Sequence, residues 1–143
     1  MAVIKGLAEA IAELHEMSAA AKDASPIMEE IASGAESEMK KNFQGERHIG
    51  GGKFRNLSKQ YAARKAKRYP GKTILRATDE GYASIVHNSG ATFAEAGPTD
   101  EKMRYHADPE EPHPVMPYRN PFFVLPSSEE AAAKAFADFV GPR

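Results

Sequence analysis

The first third of the chain carries apolar residues at helical spacing, and this pattern constrains the fold most. Apolar side chains recur every three or four residues in two series, one on each side of Pro26. Such spacing places each series on one face of an α-helix. It predicts helices over residues 3–22 and 26–43, with Ser25 as the N-cap and Pro26 at the first helical position of the second. The series are Ile4, Leu7, Ile11, Leu14, Met17 and Ala21, and then Ile27, Ile31, Ala35, Met39 and Phe43.

The middle of the chain predicts a loop, a third helix and a hairpin. Residues 44–53 are rich in glycine and are expected to form a loop. Ser58 is expected to start a helix that ends before Pro70, because the residue preceding a proline avoids the helical region. The sequence "TILRAT", residues 73–78, is a strand candidate. The sequence "YASIVHNSGATFAEAG", residues 82–97, predicts a β-hairpin around its Asn-Ser-Gly turn.

The last third predicts a long loop, a strand and a helix. Residues 97–117 hold five prolines and are expected to form a proline-rich loop. The sequence "FFVL", residues 122–125, is a strand candidate. Ser127 with Glu130 predicts a capping box for the last helix. The expected buried side of that helix consists of Ala132, Ala135, Phe136 and Phe139.

The order of these elements predicts the fold class. Helices come first, strands follow and a helix ends the chain, which favours an α+β fold over an alternating βαβ fold. We expect N-terminal helices, a small and mostly antiparallel sheet and a C-terminal helix. The 143 residues suit a single domain, with a helical part over 1–43 and an α+β core over 54–143.

Composition excludes some classes of protein and site. The chain has no cysteine, so disulfides, thiolate metal sites and a cysteine nucleophile are excluded. No apolar run approaches the length of a membrane span. The glutamates at 9, 13 and 16 interrupt the N-terminal apolar series, which argues against a secretory signal peptide.

Charge is unevenly distributed along a chain whose net charge is only −1. Residues 1–46 carry nine acids and four bases, whereas residues 53–76 carry nine bases and no acid. This asymmetry is suited either to attracting a polyanion or to pairing one subunit with the next. The predicted patch, facing DNA or a partner subunit, consists of Arg64, Lys65, Lys67, Arg68 and Lys72. The alternative is a solvated helix face behind which Leu57, Tyr61 and Ala62 pack inward.

No residue pattern predicts catalysis, a metal site or a cofactor. His106, Asp108, Glu110 and His113 lie close in sequence but lack the spacing of known metal motifs. The chain has no GxSxG nucleophile motif, and its "GGGK" lacks the spacing of a phosphate-binding loop. His48 and His87 are expected to be isolated surface residues. The sequence therefore favours a protein that is not an enzyme.

The sequence "PYRNPFFVLP" predicts a structural clamp. Pro117 and Pro121 restrict the backbone on both sides of Arg119. Arg119 is then held in place for a bidentate partner, which is either a carboxylate or a run of carbonyls, in the same subunit or the next. Phe122 and Phe123 complete this predicted clamp and lead into the last helix.

Three segments in order carry a family resemblance. They are "FRNLSKQYAARKAKRYPGKTILRATDEGYASI" at 54–85, "RYHA" at 104–107, and the proline–arginine–phenylalanine motif at 117–123 followed by the polar start of the last helix. In this order they resemble the phage virion morphogenesis family, the tail completion proteins of contractile-tailed bacteriophages. The resemblance covers roughly residues 40–140.

The resemblance implies a structural role in the virion. It implies a tail completion, tail terminator or neck protein at the head–tail junction, located in the virion and in the host cytoplasm during assembly. It further implies a homo-oligomer, expected as a hexameric ring, that contacts tail tube, terminator or connector proteins. In such a ring the basic segment either pairs with the acidic helices of the neighbouring subunit or lines a lumen through which DNA passes. The alternative function is a nucleic-acid-binding module that uses the basic helix 58–72.

Overall fold

The computed structural model describes residues 7–107 and 119–141. The predicted α+β class is confirmed, with N-terminal helices, a two-stranded antiparallel sheet and a C-terminal helix. The helices are α1 Leu7–Lys22, α2 Ser25–Gln44, α3 Lys59–Arg68, α4 Glu80–Ala83, α5 Arg104–Ala107 and α6 Pro126–Val140. The strands are β1 Ile85–Ser89 and β2 Ala94–Pro98, and a 3-10 turn follows at Glu101–Met103.

The core forms where the hairpin packs on α2. Strands β1 and β2 pair from Ile85 opposite Pro98 to Ser89 opposite Ala94. Met39 and Phe43 of α2 are buried against Ile85 and against Met103 from the 3-10 turn. The ring of Phe43 is fully buried and lies 5.8 Å from the ring of Tyr82 in an edge-to-face arrangement. The apolar stripe predicted for the second helix therefore supplies much of the core.

Where the structure describes it, the apolar stripe predicted for the first helix is largely exposed, and Ile4, its first member, lies outside the described residues. Ile11 is 46% exposed and Leu14 is 63% exposed. Helix α1 packs on α6, which itself has no fully buried residue. The predicted inner side of α6 is only half-buried. These two helices form an outer layer whose apolar surface is only partly covered by the described residues.

Both predicted helix caps differ from the structure, whereas the predicted helix start at Ser58 is confirmed as a cap. Ser58 does cap α3, because its hydroxyl oxygen accepts the backbone N–H of Tyr61 at 3.3 Å. Ser25, however, is the first residue of α2, and its N–H and hydroxyl both donate to the carboxylate of Asp23. Helix α6 begins one residue before Ser127, at Pro126, and no side chain caps it. Proline is favoured in the first turn because its missing N–H would have no partner there.

The two isolated strand candidates are wrong. In residues 73–78 the backbone turns: the N–H of Arg76 donates to the carbonyl of Thr73, and Leu75 has a φ of 67°. A non-glycine residue at positive φ does not continue a strand. Residues 122–125 contain no strand either, since their hydrogen-bond partners lie on α2 side chains and in the segment itself.

Candidate functional site

Arg119 is buried and fastens two distant segments together. Its Nε donates to the carbonyl of Arg55 at 2.9 Å and its Nη2 donates to the carbonyl of Asn56 at 3.3 Å. Its backbone N–H donates to the carbonyl of His106 at 2.8 Å. The sequence left open whether Arg119 binds a carboxylate or a run of carbonyls, in its own subunit or the next. In the structure it binds two consecutive carbonyls of its own chain. Arg119 therefore holds the start of the last segment against the residues that precede α3.

Asn120 and its neighbours bind the glycine-rich loop and α2. The N–H of Asn120 donates to Nδ1 of His48 at 2.9 Å, and the N–H of Ile49 donates to the carbonyl of Asn120 at 2.8 Å. The amide of Asn42, itself buried, donates to the carbonyl of Phe123 at 2.9 Å. Two of these three contacts use side chains, those of His48 and Asn42, to bind backbone groups of the segment, which explains why it does not pair as a strand.

The two phenylalanines of the predicted clamp are half-buried and Pro121 is fully buried. The ring of Phe122 lies 6.3 Å from the ring of Phe43, so it extends the core from the C-terminal side. Pro117, the remaining member of the predicted clamp, lies outside the described residues.

Helix α3 presents three bases of the predicted patch to solvent. Arg64, Lys67 and Arg68 are exposed. Lys72 follows the helix and its Nζ donates to the carboxylate of Asp79 at 2.6 Å. The exposed basic patch is therefore Arg64, Lys67 and Arg68, with Lys72 held in an ion pair beside it.

Lys65 does not belong to this exposed patch. Only 7% of the residue is exposed, and its Nζ donates to the carbonyl of Thr73. Burial lowers its pKa, the charge of Arg119 lowers it further and the carboxylate of Glu46 opposes the change. The sequence carried no sign of this, because Lys65 is one of nine bases in an unbroken basic segment.

A cleft of about 950 Å³ lies beside α3, between that helix, the turn at 73–78 and the 3-10 turn. Its lining is mixed, with an apolar wall and more bases than acids. The apolar wall includes Leu57, Ile74, Leu75, Ala77 and Met103. The bases are Arg55, Arg64, Lys65, Lys102 and Arg119, and the acids are Glu80 and Asp100.

Two buried cations line this cleft. Arg119 is 5% exposed and, like Lys65, has hydrogen bonds to neutral carbonyls. Burial lowers the pKa of Arg119 and the nearby charge of Arg55 acts in the same direction, whereas Glu46 opposes both. A buried cation is normally paired with an anion. The base of the cleft is thus chemically suited to an oxyanion.

A second charged cluster joins α2 to the hairpin, and the sequence did not predict it. His87 of β1 contacts Glu29 through Nε2 at 2.8 Å and Glu36 through Nδ1. Ser89 donates to Glu29 at 2.6 Å and Lys40 donates to Glu36 at 2.6 Å. His87 is therefore not an isolated surface residue. The sequence did hold one sign of this cluster. Glu29 and Glu36 are seven residues apart, which places them two turns apart on one face of α2.

The hydrogen bonds to these carboxylates, first that to Glu36 and then that to Glu29, raise the pKa of His87. In turn the pKa values of both carboxyls are lowered, chiefly by the hydrogen bonds from Ser89 to Glu29 and from Lys40 to Glu36. The cluster stabilises the charged forms of its members and so holds the hairpin on α2.

The described part of the chain has neither a metal-binding group of side chains nor a membrane-spanning helix. Within residues 7–107 and 119–141, no three His, Asp or Glu side chains come together in a way that could hold a metal ion. Of the four residues weighed as metal ligands, Asp108, Glu110 and His113 fall outside the described part of the chain. No helix in the described part is long and apolar enough to cross a membrane.

Comparisons of the chain with family models, curated proteins and solved structures found no match. The resemblance to the tail completion proteins therefore depends on the sequence motifs alone.

Proposed function

We propose that this protein is a phage virion structural protein that completes or terminates the tail at the head–tail junction, and that it acts by assembling into a ring and not by catalysis. The observation that carries the proposal is the exposed apolar stripe of α1. The three motifs that resemble the tail completion proteins support a ring at the head–tail junction as the assembly that this stripe joins.

The stripe is too exposed for a helix that serves only its own subunit. Ile11 and Leu14 lie in solvent, while the half-buried residues of the described part of α1 are Met17 and Ala20. Apolar side chains that recur on one helix face and remain exposed are typical of a surface that contacts another protein. A second copy of the chain is the partner that this proposal assigns to the stripe.

Ring closure needs two unlike surfaces on one subunit, because each copy presents one patch to a different patch of its neighbour. Helix α1 has exposed acids at Glu9, Glu13 and Glu16, with Lys22 only in its last turn. Helix α3 has the exposed bases Arg64, Lys67 and Arg68. Opposite charges on the two surfaces orient the approach of one copy to the next.

The test is the assembly state of the full chain, measured by native mass spectrometry and sedimentation velocity. We expect a closed ring, with six copies as the resemblance implies. The double variant Ile11→Ser/Leu14→Ser should dissociate the ring without unfolding the subunit, because both side chains are already exposed. A chain that stays monomeric at high concentration, or a variant that assembles like the wild type, would contradict the proposal.

A matched pair of charge-reversal variants tests whether opposite charges contribute to ring assembly. Arg64→Glu/Arg68→Glu should weaken assembly most at low salt, since exposed charges are screened as salt increases. Lys41→Glu/Lys134→Glu changes the net charge equally at exposed positions on α2 and α6 and should assemble normally. Equal behaviour of the two variants would show that charge complementarity does not orient the ring.

The alternative function, a nucleic-acid-binding module, is favoured by a different observation. Tyr61 is 44% exposed on the same helix as the exposed bases. An aromatic ring among cations is a common arrangement for stacking on a nucleobase beside a bound phosphate.

A further inference from the structure

We propose that the cleft beside α3 binds phosphate groups of a nucleic-acid backbone, with Lys65 and Arg119 as the phosphate receptors at its base. This site is separate from the α1 stripe of the assembly proposal. The exposed bases Arg64 and Arg68 belong to both proposals, whereas the buried Lys65 and Arg119 belong to the cleft alone, so Lys65→Met separates the failure of one proposal from the failure of the other. It gives the nucleic-acid alternative a specific site.

The cleft is lined by two buried cations with little opposing charge beside them. Lys65 and Arg119 are each more than nine-tenths buried, and both line the cleft. The carboxylate that acts on both of them is Glu46, and one of its oxygens accepts the N–H of Ile74 at 3.0 Å. Glu80 and Asp100 also line the cleft, but the described hydrogen bonds of the Lys65 and Arg119 side chains go to carbonyls and not to either acid. Burying a cation without a counter-charge is unfavourable, so an anion entering the cleft would be stabilised.

The side chains of Lys65 and Arg119 both retain hydrogen-bond donors. An ammonium has three donors and a guanidinium has five. In the described structure Lys65 donates to Thr73 alone, and Arg119 donates through Nε and Nη2 to Arg55 and Asn56. Donors therefore remain on both side chains. An oxyanion with several acceptor oxygens matches two such groups better than a neutral ligand does.

The positive charge of the cleft extends over several residues, which favours a phosphate backbone over a single carboxylate as the ligand. The cleft has Arg55, Arg64 and Lys102 among its lining residues. On α3, Arg68 follows Arg64 by one helical turn, which is a rise of about 6 Å. The positive charge therefore continues out of the cleft along the helix. A phosphate backbone, which carries a charge at every nucleotide, can contact such a series of cations, whereas a single carboxylate contacts only one of them.

The test measures binding of a short labelled single strand and of a duplex to the full chain by fluorescence anisotropy across a salt series. The logarithm of the affinity should fall linearly with the logarithm of the salt concentration. Arg64→Gln, at an exposed position, should reduce that slope by about 0.7–0.9, the change expected for one lost phosphate contact. Lys65→Met, which keeps the apolar stem and removes the charge, should do the same.

Matched controls separate a specific site from a general effect of charge. Lys22→Gln removes one exposed base on α1, outside the cleft, and should leave the slope unchanged. Thermal unfolding of Lys65→Met shows whether that variant folds, and Arg64→Gln tests the cleft if it does not. Inorganic phosphate should compete weakly with the strand, because it occupies a single subsite.

Three results would overturn the proposal. The wild-type chain could fail to bind either probe at low salt. Lys22→Gln could change the slope as much as Arg64→Gln. Polyglutamate could compete as well as an unlabelled strand of the same charge, in which case the cleft binds acidic protein segments instead. Native mass spectrometry of the same variants reports ring assembly independently.

Discussion

At the scale of single residues, the structure is held by a few polar side chains that join segments far apart in sequence. Arg119 binds carbonyls more than 60 residues earlier in the chain, and Asn42 binds carbonyls of the last segment. Each of these residues is buried. A buried polar group that loses its partner leaves an unsatisfied atom, so such residues contribute more to stability than exposed ion pairs do.

Replacing Arg119 should therefore destabilise the fold. We expect Arg119→Ala to lower the free energy of unfolding by about 1–3 kcal/mol, because the carbonyls of Arg55 and Asn56 lose their donor and a buried side chain is removed. Arg55→Ala is the control: the side chain of Arg55 is exposed and Arg119 uses only its backbone, so a change within about 0.5 kcal/mol is expected. Urea denaturation of both variants measures the difference. Equal effects would show that Arg119 does not act as a clamp.

His87 should make stability depend on pH near neutrality. Its pKa is raised in the folded state by Glu36 and Glu29, so the folded protein holds this proton more tightly than the unfolded chain. The contribution is fully present below the unfolded pKa of about 6.5 and is lost as the pH rises through the folded pKa. The pKa values of Glu29 and Glu36 are lowered, so their contribution is lost in acid.

Urea denaturation between weakly acidic and weakly alkaline pH, on wild type and His87→Gln, tests this. The free energy of unfolding of the wild type should decrease over that range, and the variant should lack this decrease. Other groups also titrate, so the quantity to compare is the difference between the two proteins at each pH. A constant difference would mean that His87 has the same pKa in both states.

At the scale of elements, two helices each contain a glycine, but the space around the two glycines differs. Gly34 lies inside α2 with nothing within 4 Å of the place where a Cβ would stand. Gly81 lies in α4, where a Cβ would come within 2.6 Å of Sδ of Met103. Helix α2 therefore has room for a side chain at Gly34. In α4, Gly81 lies against Met103, which belongs to the core.

Two glycine-to-alanine variants test this contrast. Gly34→Ala should stabilise the protein by about 0.5–1 kcal/mol, because alanine loses less backbone entropy in a helix and meets no obstacle. Gly81→Ala should destabilise it by about 1–3 kcal/mol, since Met103 must move out of its packed position. Thermal and urea unfolding measure both. Stabilisation by Gly81→Ala would show that α4 does not press on the core.

At the scale of the whole molecule, packing is concentrated around α2. The hairpin lies on one part of α2, and residues 119–125 pass its C-terminal half through contacts to Asn42, Phe43 and Glu38. The layer of α1 and α6 is more open, with Ile11 and Leu14 in solvent. Stability should therefore differ between the two parts of the molecule.

Amide hydrogen exchange of the subunit should show this difference. We expect the amides near Phe43 and in β1 to exchange only through near-global unfolding, whereas those of α1 exchange through local opening and at least tenfold faster. In an assembled ring the α1 amides should become protected if the stripe is an interface. Equal protection of α1 and α2 in the dissociated subunit would contradict the described packing.

Features with local causes were predictable from the sequence. The helical stripes, the predicted helix start at Ser58 and the two segments around residues 88–90 predicted α1, α2, α3 and the hairpin near their observed positions. The turn of the hairpin lies later than predicted, because Asn88 and Ser89 pair with Glu95 and Ala94 within the sheet. The two wrong strand predictions came from local composition. A run such as "TILRAT" has the composition of a strand, but with no partner strand beside it the backbone turns at Leu75. The segment 122–125 likewise binds α2 in place of a strand.

What the sequence alone determined is where the chain becomes helical and where it turns back, because periodicity, proline and capping act over a few residues. Only the tertiary structure decided which faces are covered. It left Ile11 and Leu14 in solvent, turned Lys65 into a cleft beside Arg119, and brought His87 between Glu29 and Glu36. Burial and pairing depend on residues tens of positions apart, and no local pattern specifies which of them meet.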